Sequence, residues 1–499
     1  MYPIDDTFIH MVVARTVALH GNWGISGHEF ESASSSILYT LLLAGLFKVF
    51  SVNFFMPLAV NLVAGILLLA VVQRWLKKEG VGVGGQSLIL VLVVVLTPLP
   101  VLIIGGMEHT LQCLFSFLFV FYFSDWMRDS ERDGDGAGLP WSIYLYGLLT
   151  CFIRYEGLFL VGVAGLLLLW KRKFGVAVKL GIISFLPLLC FGVYSIGKGS
   201  YFLPNSVLLK SDGLQLSVFG VVRFFGRILI KKINFTGTLT AVAVQHLLIL
   251  LPLAYLMLYR SIKAAKNYGY VLLFLTVAVL LQLSLAAIGW FYRYEAYLIF
   301  GSVIMLSVLV YKNREEIFSR MKGHPLASGL VVVMLGLPLL LRSGEAFWVA
   351  PQACVNIYDQ QYQMAQFLAR YYDNTVVAAN DIGAISFYKQ APNLDLFGLA
   401  NIKVARSRKK NQCTPGFLDS LSRGEGAKVA VLYERWFDDA LLKRWGKVAS
   451  WTIPNNVICG DSVVSFYAID SSAGGGLRAA LKEYAPSLPS GVMVQYFGQ

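Results

Sequence analysis

Charge is scarce in this chain. Of its 499 residues only 14% are Asp, Glu, Lys or Arg, against roughly 25% in a soluble globular protein. The hydrophobic share is 57%, which argues against an ordinary soluble domain. Histidine is sparse (six) and no H-E-x-x-H occurs, so a zincin-type protease finds no support. The six cysteines contain no C-x-x-C pair, which leaves neither a zinc knuckle nor a thioredoxin-like site. No G-x-x-x-x-G-K-[ST] loop is present, and the GVGVGG run at 80–85 lacks a βαβ setting, so nucleotide hydrolysis is unsupported. The first ten residues, MYPIDDTFIH, hold two acids and no apolar stretch, unlike a secretory signal peptide. Acids are outnumbered by bases, 29 to 42, for a net charge of +13. In so apolar a chain that surplus points to loop topology and lipid headgroups, and not to nucleic acid.

What the chain has is apolar runs near the ~20 residues that cross a bilayer. They lie at 54–73, 87–104, 110–124, 142–153, 157–170, 176–197, 240–259, 270–288, 296–311 and 326–342. Basic clusters follow several of them: Arg74, Lys77 and Lys78; Lys171, Arg172, Lys173 and Lys179; Arg260, Lys263 and Lys266; Lys312, Arg314, Arg320 and Lys322. If 142–153 and 157–170 form a hairpin, every cluster falls on one side, which the positive-inside rule makes cytoplasmic. Residues 1–53, the 105–109 turn, Arg154–Glu156, loops 198–239 and 289–295 and everything after 343 then lie outside. An outer N-terminus with no span before it needs either translocation of a free tail or a further helix upstream, and the second is expected.

Two segments suit the membrane surface better than its interior. Ile37–Phe50 (ILYTLLLAGLFKVF) is apolar but short and carries Lys48. In 218–235 (VFGVVRFFGRILIKKINF) Arg223, Arg227 and Lys231 recur every fourth residue among Phe219, Val222, Ile230 and Ile233, the pattern of a cationic interfacial helix. From 345 onwards polar residues return and apolar runs shrink to strand length, as in TVVAAND, KVAVLY and SVVSFYAI, with helical stretches YQMAQFLARYY and DDALLKRW between them. The expected division is an outer loop at 1–53, a transmembrane domain at 54–344 and an extracytoplasmic α/β domain at 345–499. Cys413 and Cys459 both fall in the last, where a disulfide and buried free thiols are equal alternatives.

Polar groups concentrate on the outer side. Asp5 and Asp6 precede the helical stretch FIHMVVARTVAL, where a helix dipole favours carboxylates, so simple capping competes with a catalytic role. Glu108 and His109 lie in GGMEH, Arg154 and Glu156 in FIRYEG, and Arg293 and Glu295 in GWFYRYEAY. Ionisable groups at such depth are costly, and are functional or paired with one another. A rim carboxylate can take a proton from a hydroxyl acceptor, and Arg or Lys can hold a departing phosphate. A divalent cation is compatible with these acids and His109 but not required by them.

The stretch YPIDDTFIHMVVARTVALHGNWGISGHEFESASSSILYTLLLAGLFKVF resembles the first outer loop of GT-C superfamily glycosyltransferases. These include lipid A aminoarabinose transferases, protein O-mannosyltransferases and, closest in motif, mycobacterial terminal arabinofuranosyltransferases. GGMEH is similar to a Gly-Met-Glu turn of the last group, and FIRYEGLFL to its Arg-Pro-Glu-Gly turn, with Tyr155 in place of Pro. LPNSVLLK resembles a Pro-Asn-Thr…Lys segment, and NDIGAISFYKQAPNLDLFGLAN a strand-turn-strand signature.

The resemblance implies a GT-C helical bundle with outer juxtamembrane helices and a C-terminal α/β domain. It also implies inverting transfer of a sugar from a polyprenyl-phosphate carrier to a cell-envelope glycan or lipid, at the outer face of a bacterial inner membrane. On that reading Asp5 is the general base with Asp6 its partner, although their order is open. Arg293, Lys210 and Arg154 would meet the donor phosphate. Glu108, His109, Glu156, Asn205 and Tyr292 would line the cavity. A transporter or flippase, or a non-catalytic envelope-assembly protein, are the readings from other classes.

Overall fold

The computed structural model describes residues 1–133, 138–209, 239–261 and 263–498. Lys210 and the expected interfacial helix at 218–235 lie outside the described residues.

The N-terminal part is helical. Helices α1 (Asp6–His20) and α2 (Ile37–Phe50) pack on each other ahead of α3 (Met56–Lys78), α4 (Val83–Leu96), α5 (Leu99–Ile104) and α6 (His109–Asp133). Next come α7 (Trp141–Ile153), α8 (Gly157–Trp170), α9 (Phe174–Gly197) and the single turn α10 (Asn205–Leu208). They are followed by α11 (Leu239–Ser261), α12 (Gly269–Leu285), α13 (Ala296–Lys312), α14 (Arg314–Gly323) and α15 (Pro325–Ile357). Among the described residues, five helices have the length and apolarity to cross a membrane, or six if the bent pair α13–α14 counts as one. α6 lies at the centre: 83% of its apolar window is buried, against 33% for α3 and α9. The outward faces of α3, α9 and α15 instead carry exposed large side chains such as Ile66, Ile182 and Leu330, an apolar surface suited to lipid contact.

The apolar run 87–104 is not one helix. It breaks at Thr97–Pro98 into α4 and α5, because proline cannot donate to the ladder and disfavours helix in the residue before it. Residues 142–153 and 157–170 do form two helices, joined by Arg154–Glu156. Lys179 lies over the rings of Trp141 and Tyr144, so the start of α7 sits beside the early turns of α9, near the end of α8. The pair therefore runs up and back.

α15 does not stop at 344, where a domain boundary is expected. It continues to Ile357, and through the turn Tyr358–Tyr362 it joins α16 (Gln363–Tyr371). The expected strands appear as β1 (Val377–Ala379), β3 (Val429–Leu432) and β5 (Val463–Ala468), joined by β2 (Asn393–Asp395), β4 (Gly446–Thr452) and β6 (Met493–Tyr496). The sheet order is β2-β1-β3-β5-β4-β6. β1 runs parallel to β2 and β3, with Ala378 opposite Ala430, and the remaining pairs are antiparallel. The helices of this part are α17 (Gly383–Tyr388), α18 (Ile402–Lys409), α19 (Pro415–Gly424), α20 (Asp439–Leu442) and α21 (Gly474–Tyr484). Cys413 and Cys459 are both free thiols, and Cys459 donates to Gln361 Oε1 at 3.1 Å.

Candidate active site

The two adjacent acids point in different directions. Asp5 stands at the N-cap of α1, but its side chain makes no cap bond, so simple capping does not describe it. Its carboxylate instead accepts the N–H groups of Gly383 (2.7 Å) and Ala384 (2.8 Å), at the start of α17. A Cβ on Gly383 would fall 2.3 Å from the Asp5 carbonyl oxygen and 2.4 Å from its carboxylate, so only glycine permits this approach. Arg15, later on α1, donates to the carbonyls of Phe387 (2.6 Å) and Ser386 (3.0 Å) at the other end of α17. One acid at the donors and one cation at the acceptors fasten α17 to α1, the arrangement a helix dipole favours. Burial, and next the adjacent Asp381 carboxyl, push Asp5 well above the usual carboxylate range, against the two N–H bonds.

Asp6 lies in the first turn of α1 and faces a cavity of about 300 Å³, where it pairs with Arg293. Arg293 is 2% exposed, and its Nε and Nη1 are buried without a hydrogen-bond partner. It is delivered by an unusual loop: Gly289, Trp290, Phe291 and Tyr292 all have positive φ (82°, 33°, 57° and 59°). For the three non-glycine residues a left-handed turn costs about 1–2 kcal/mol each, so the surroundings must hold it. Arg342 of α15, fully buried, donates to the Tyr292 carbonyl and pairs with Glu295 at 3.1 Å, while Glu295 accepts the Gly289 N–H at 2.8 Å. Arg342 is absent from the candidates read from sequence. Its signal there is a charge in the apolar run LGLPLLLRSG, which is costly unless paired.

The GGMEH turn supplies the acid that anchors the neighbouring wall. Gly106 (φ 63°) lets the turn press on Tyr2 and Thr7, where a Cβ would come within 2.6 Å of the Tyr2 ring. Thr7 and Tyr39 donate to the Gly105 and Gly106 carbonyls. Glu108 is fully buried and accepts from Arg154 Nη1 (2.7 Å) and Ser35 (3.2 Å), with His10 Nε2 at 3.4 Å. Against its burial, the surrounding His109, His10 and Arg154 hold the Glu108 carboxyl below its usual range. Arg154 also grips Glu156 through Nη2 (2.6 Å) and Nε (3.0 Å). The Tyr294 ring lies 5.1 Å from the Arg293 guanidinium and 5.6 Å from that of Arg154. His10, another residue missed in sequence, is pushed down by burial despite Glu108.

Of the predicted site residues, Asp6, Arg154, Glu156 and Arg293 line the cavity, together with Ser35 and Tyr294. Glu108 and His109 sit directly behind this wall, and both ring nitrogens of His109 are buried without a partner. Asn205 donates to the Leu399 carbonyl at 3.3 Å, and its neighbours Leu203, Ser206 and Val207 are on the lining. Tyr292 contributes its carbonyl to Arg342. Asp5 is not on the lining, and Lys210 is outside the described residues. Among the described residues no three Asp, Glu, His or Cys side chains come together as a metal site. The cavity acids Asp6 and Glu156 are each engaged by an arginine.

A helical bundle with several apolar helices, joined to a small C-terminal sheet region, is the fold this chain shares with a solved structure. The fold of ArnT from Cupriavidus metallidurans, solved bound to undecaprenyl phosphate, aligns over 94% of this chain and 94% of its own, with a TM-score of 0.50 and 12% identity. The archaeal oligosaccharyltransferase AglB from Archaeoglobus fulgidus, in complex with an inhibitory peptide and a dolichol-phosphate, covers 98% of this chain and 71% of its own, with a TM-score of 0.49 and 12% identity. At that identity the likeness is one of fold. Residues 355–467 match the family described as a domain of unknown function, DUF8728. No curated protein matches the sequence.

Proposed function

We propose that this chain is a membrane glycosyltransferase that moves a sugar from a polyprenyl-phosphate carrier to a hydroxyl of a cell-envelope glycan or lipid. What carries this reading is Arg293: a buried guanidinium with two unpartnered nitrogens, Nε and Nη1, on a cavity it shares with the Asp6 carboxylate. Leaving such donors unsatisfied costs about 1–3 kcal/mol, and a phosphate oxygen answers them with charge-assisted bonds. The fold shared with a protein solved on undecaprenyl phosphate supports a lipid-phosphate donor.

In this mechanism the acceptor hydroxyl attacks the anomeric carbon from the face opposite the phosphate. A C–O bond to the acceptor forms as the bond to the phosphate oxygen breaks, and configuration inverts. The carrier phosphate leaves with the electron pair, and Arg293, with Arg154 beside it, stabilises its charge. Asp6 accepts the hydroxyl proton. Asp5, fastened to α17, sets the position of Asp6 instead of touching substrate. The cavity opens at the end of the bundle away from the Lys77, Lys171 and Lys312 clusters, so the outer face of a bacterial inner membrane fits the positive-inside rule. The sheet region, fastened to α1 at the cavity end, then lies outside the cytoplasm.

The test is mass spectrometry of lipid-linked sugars and envelope glycans from cells with and without the gene. Loss of one glycan residue, with accumulation of its lipid-linked donor, is expected. Unchanged profiles of both contradict the proposal.

A further inference from the structure

The helices that reach the first cavity also reach a second one, at their other ends. α8 starts beside Glu156 and finishes at Trp170, while α12 ends at Leu285 and begins at Gly269. α6 starts just after Met107 and carries Glu131 near its far end. Glu131, Trp170, Lys171 and Gly269 line a cavity of about 640 Å³ between α8, α11 and α12. Along α6 the ends are about 33 Å apart at the rise of an α-helix, which is one hydrocarbon thickness.

This second cavity is apolar in depth and cationic at its mouth. Leu253, Leu256 and Leu273 form walls and remain about half exposed, so the groove is continuous with the lipid-facing surface of the bundle. Lys171 and Lys266 stand at the mouth with Tyr259 and Tyr270. The Lys171 ammonium lies 5.2 Å over the Trp170 ring and pairs with Glu131, which also accepts from the Tyr270 hydroxyl at 2.5 Å. The acid is thus satisfied within the protein. Among the described residues no acid pairs with Lys266, so the two lysines at the mouth outnumber its one acid.

We propose that this groove binds an anionic phospholipid of the leaflet opposite the sugar-transfer cavity, its acyl chains along the leucine walls and its phosphate at Lys171 and Lys266. The walls require hydrocarbon, which a soluble anion does not supply. The surplus of positive charge at the mouth disfavours a headgroup that brings its own amine. The ring of tryptophan and tyrosines is the side-chain set that settles at the headgroup level. This site does not depend on the catalytic proposal.

The experiment places the full chain in nanodiscs of equal parts phosphatidylglycerol and phosphatidylcholine, extracts it into detergent and counts retained lipids by native mass spectrometry. The wild-type chain is expected to keep phosphatidylglycerol in preference to phosphatidylcholine. Lys266→Ala should lower that retention about fivefold, the factor that corresponds to ~1 kcal/mol for one lysine near a lipid surface. Leu256→Trp, which fills the groove without touching a charge, should release the lipid. Equal retention of the two lipids by the wild-type chain overturns the proposal whether or not either variant folds, as does retention that neither substitution changes.

Discussion

Asp6 and Arg293, 287 positions apart in the chain, close an ion pair on the cavity wall, while Asp5, one residue earlier, is turned onto the N–H groups of Gly383 and Ala384. The paired acids are therefore a hinge between two tasks. One faces the proposed reaction, and the other fastens the N-terminal loop to the sheet region.

The Asp5 contact makes stability depend on pH. Its carboxyl is raised in the folded state, first by burial and then by Asp381. A raised folded-state pKa contributes stability that is full in the acid range and is lost as pH rises through the folded value. Melting temperature in detergent should therefore fall on going from acid pH upwards, and Asp5→Asn should flatten that slope. At acid pH the substitution should cost about 1–3 kcal/mol, because the Ala384 N–H loses its acceptor. An unchanged slope in the variant would show that Asp5 is not the group responsible.

Gly383→Ala should disturb the same junction sterically. The added methyl would overlap Asp5 at 2.3–2.6 Å, and overpacking of this kind costs about 1–3 kcal/mol. Gly416, also near the start of its helix, has open space around a built Cβ, and Gly416→Ala should leave the melting temperature within experimental scatter. Equal effects of the two would contradict the tight approach.

The left-handed turn at 289–292 depends on Arg342. Arg342→Leu leaves Glu295 buried and unpaired, which should cost about 3–5 kcal/mol. Adding Glu295→Gln should recover part of the loss, a coupling that a double-mutant cycle measures. Strict additivity would show that the pair does not hold the turn.

Much of this arrangement is written in local sequence. Apolar runs separated by basic clusters mark the helices, and GGMEH, FIRYEG and the paired acids mark the cavity's neighbourhood. Strand-length apolar runs in KVAVLY and SVVSFYAI coincide with β3 and β5. What sequence does not show is which acid faces inward. That depends on the phase of the first turn of α1 and on α17, some 380 residues away, which claims Asp5. The run Trp290–Tyr292 carries no left-handed preference of its own, and only Gly289 does. Its conformation comes from Arg342, whose role depends on a contact between α15 and a distant loop. The break in 87–104 is marked in sequence only by Pro98, inside an otherwise continuous apolar run.

In the proposed mechanism Asp6 takes the acceptor proton while Asp5 only positions it. The direct measurement compares transfer from the native lipid-linked donor by membranes carrying Asp6→Asn and Asp5→Asn, at matched amounts of folded chain. Asp6→Asn should slow turnover by about 10²–10⁴-fold. Asp5→Asn should retain measurable turnover. Wild-type turnover by Asp6→Asn, with turnover abolished only in Asp5→Asn, would contradict this assignment of the two acids.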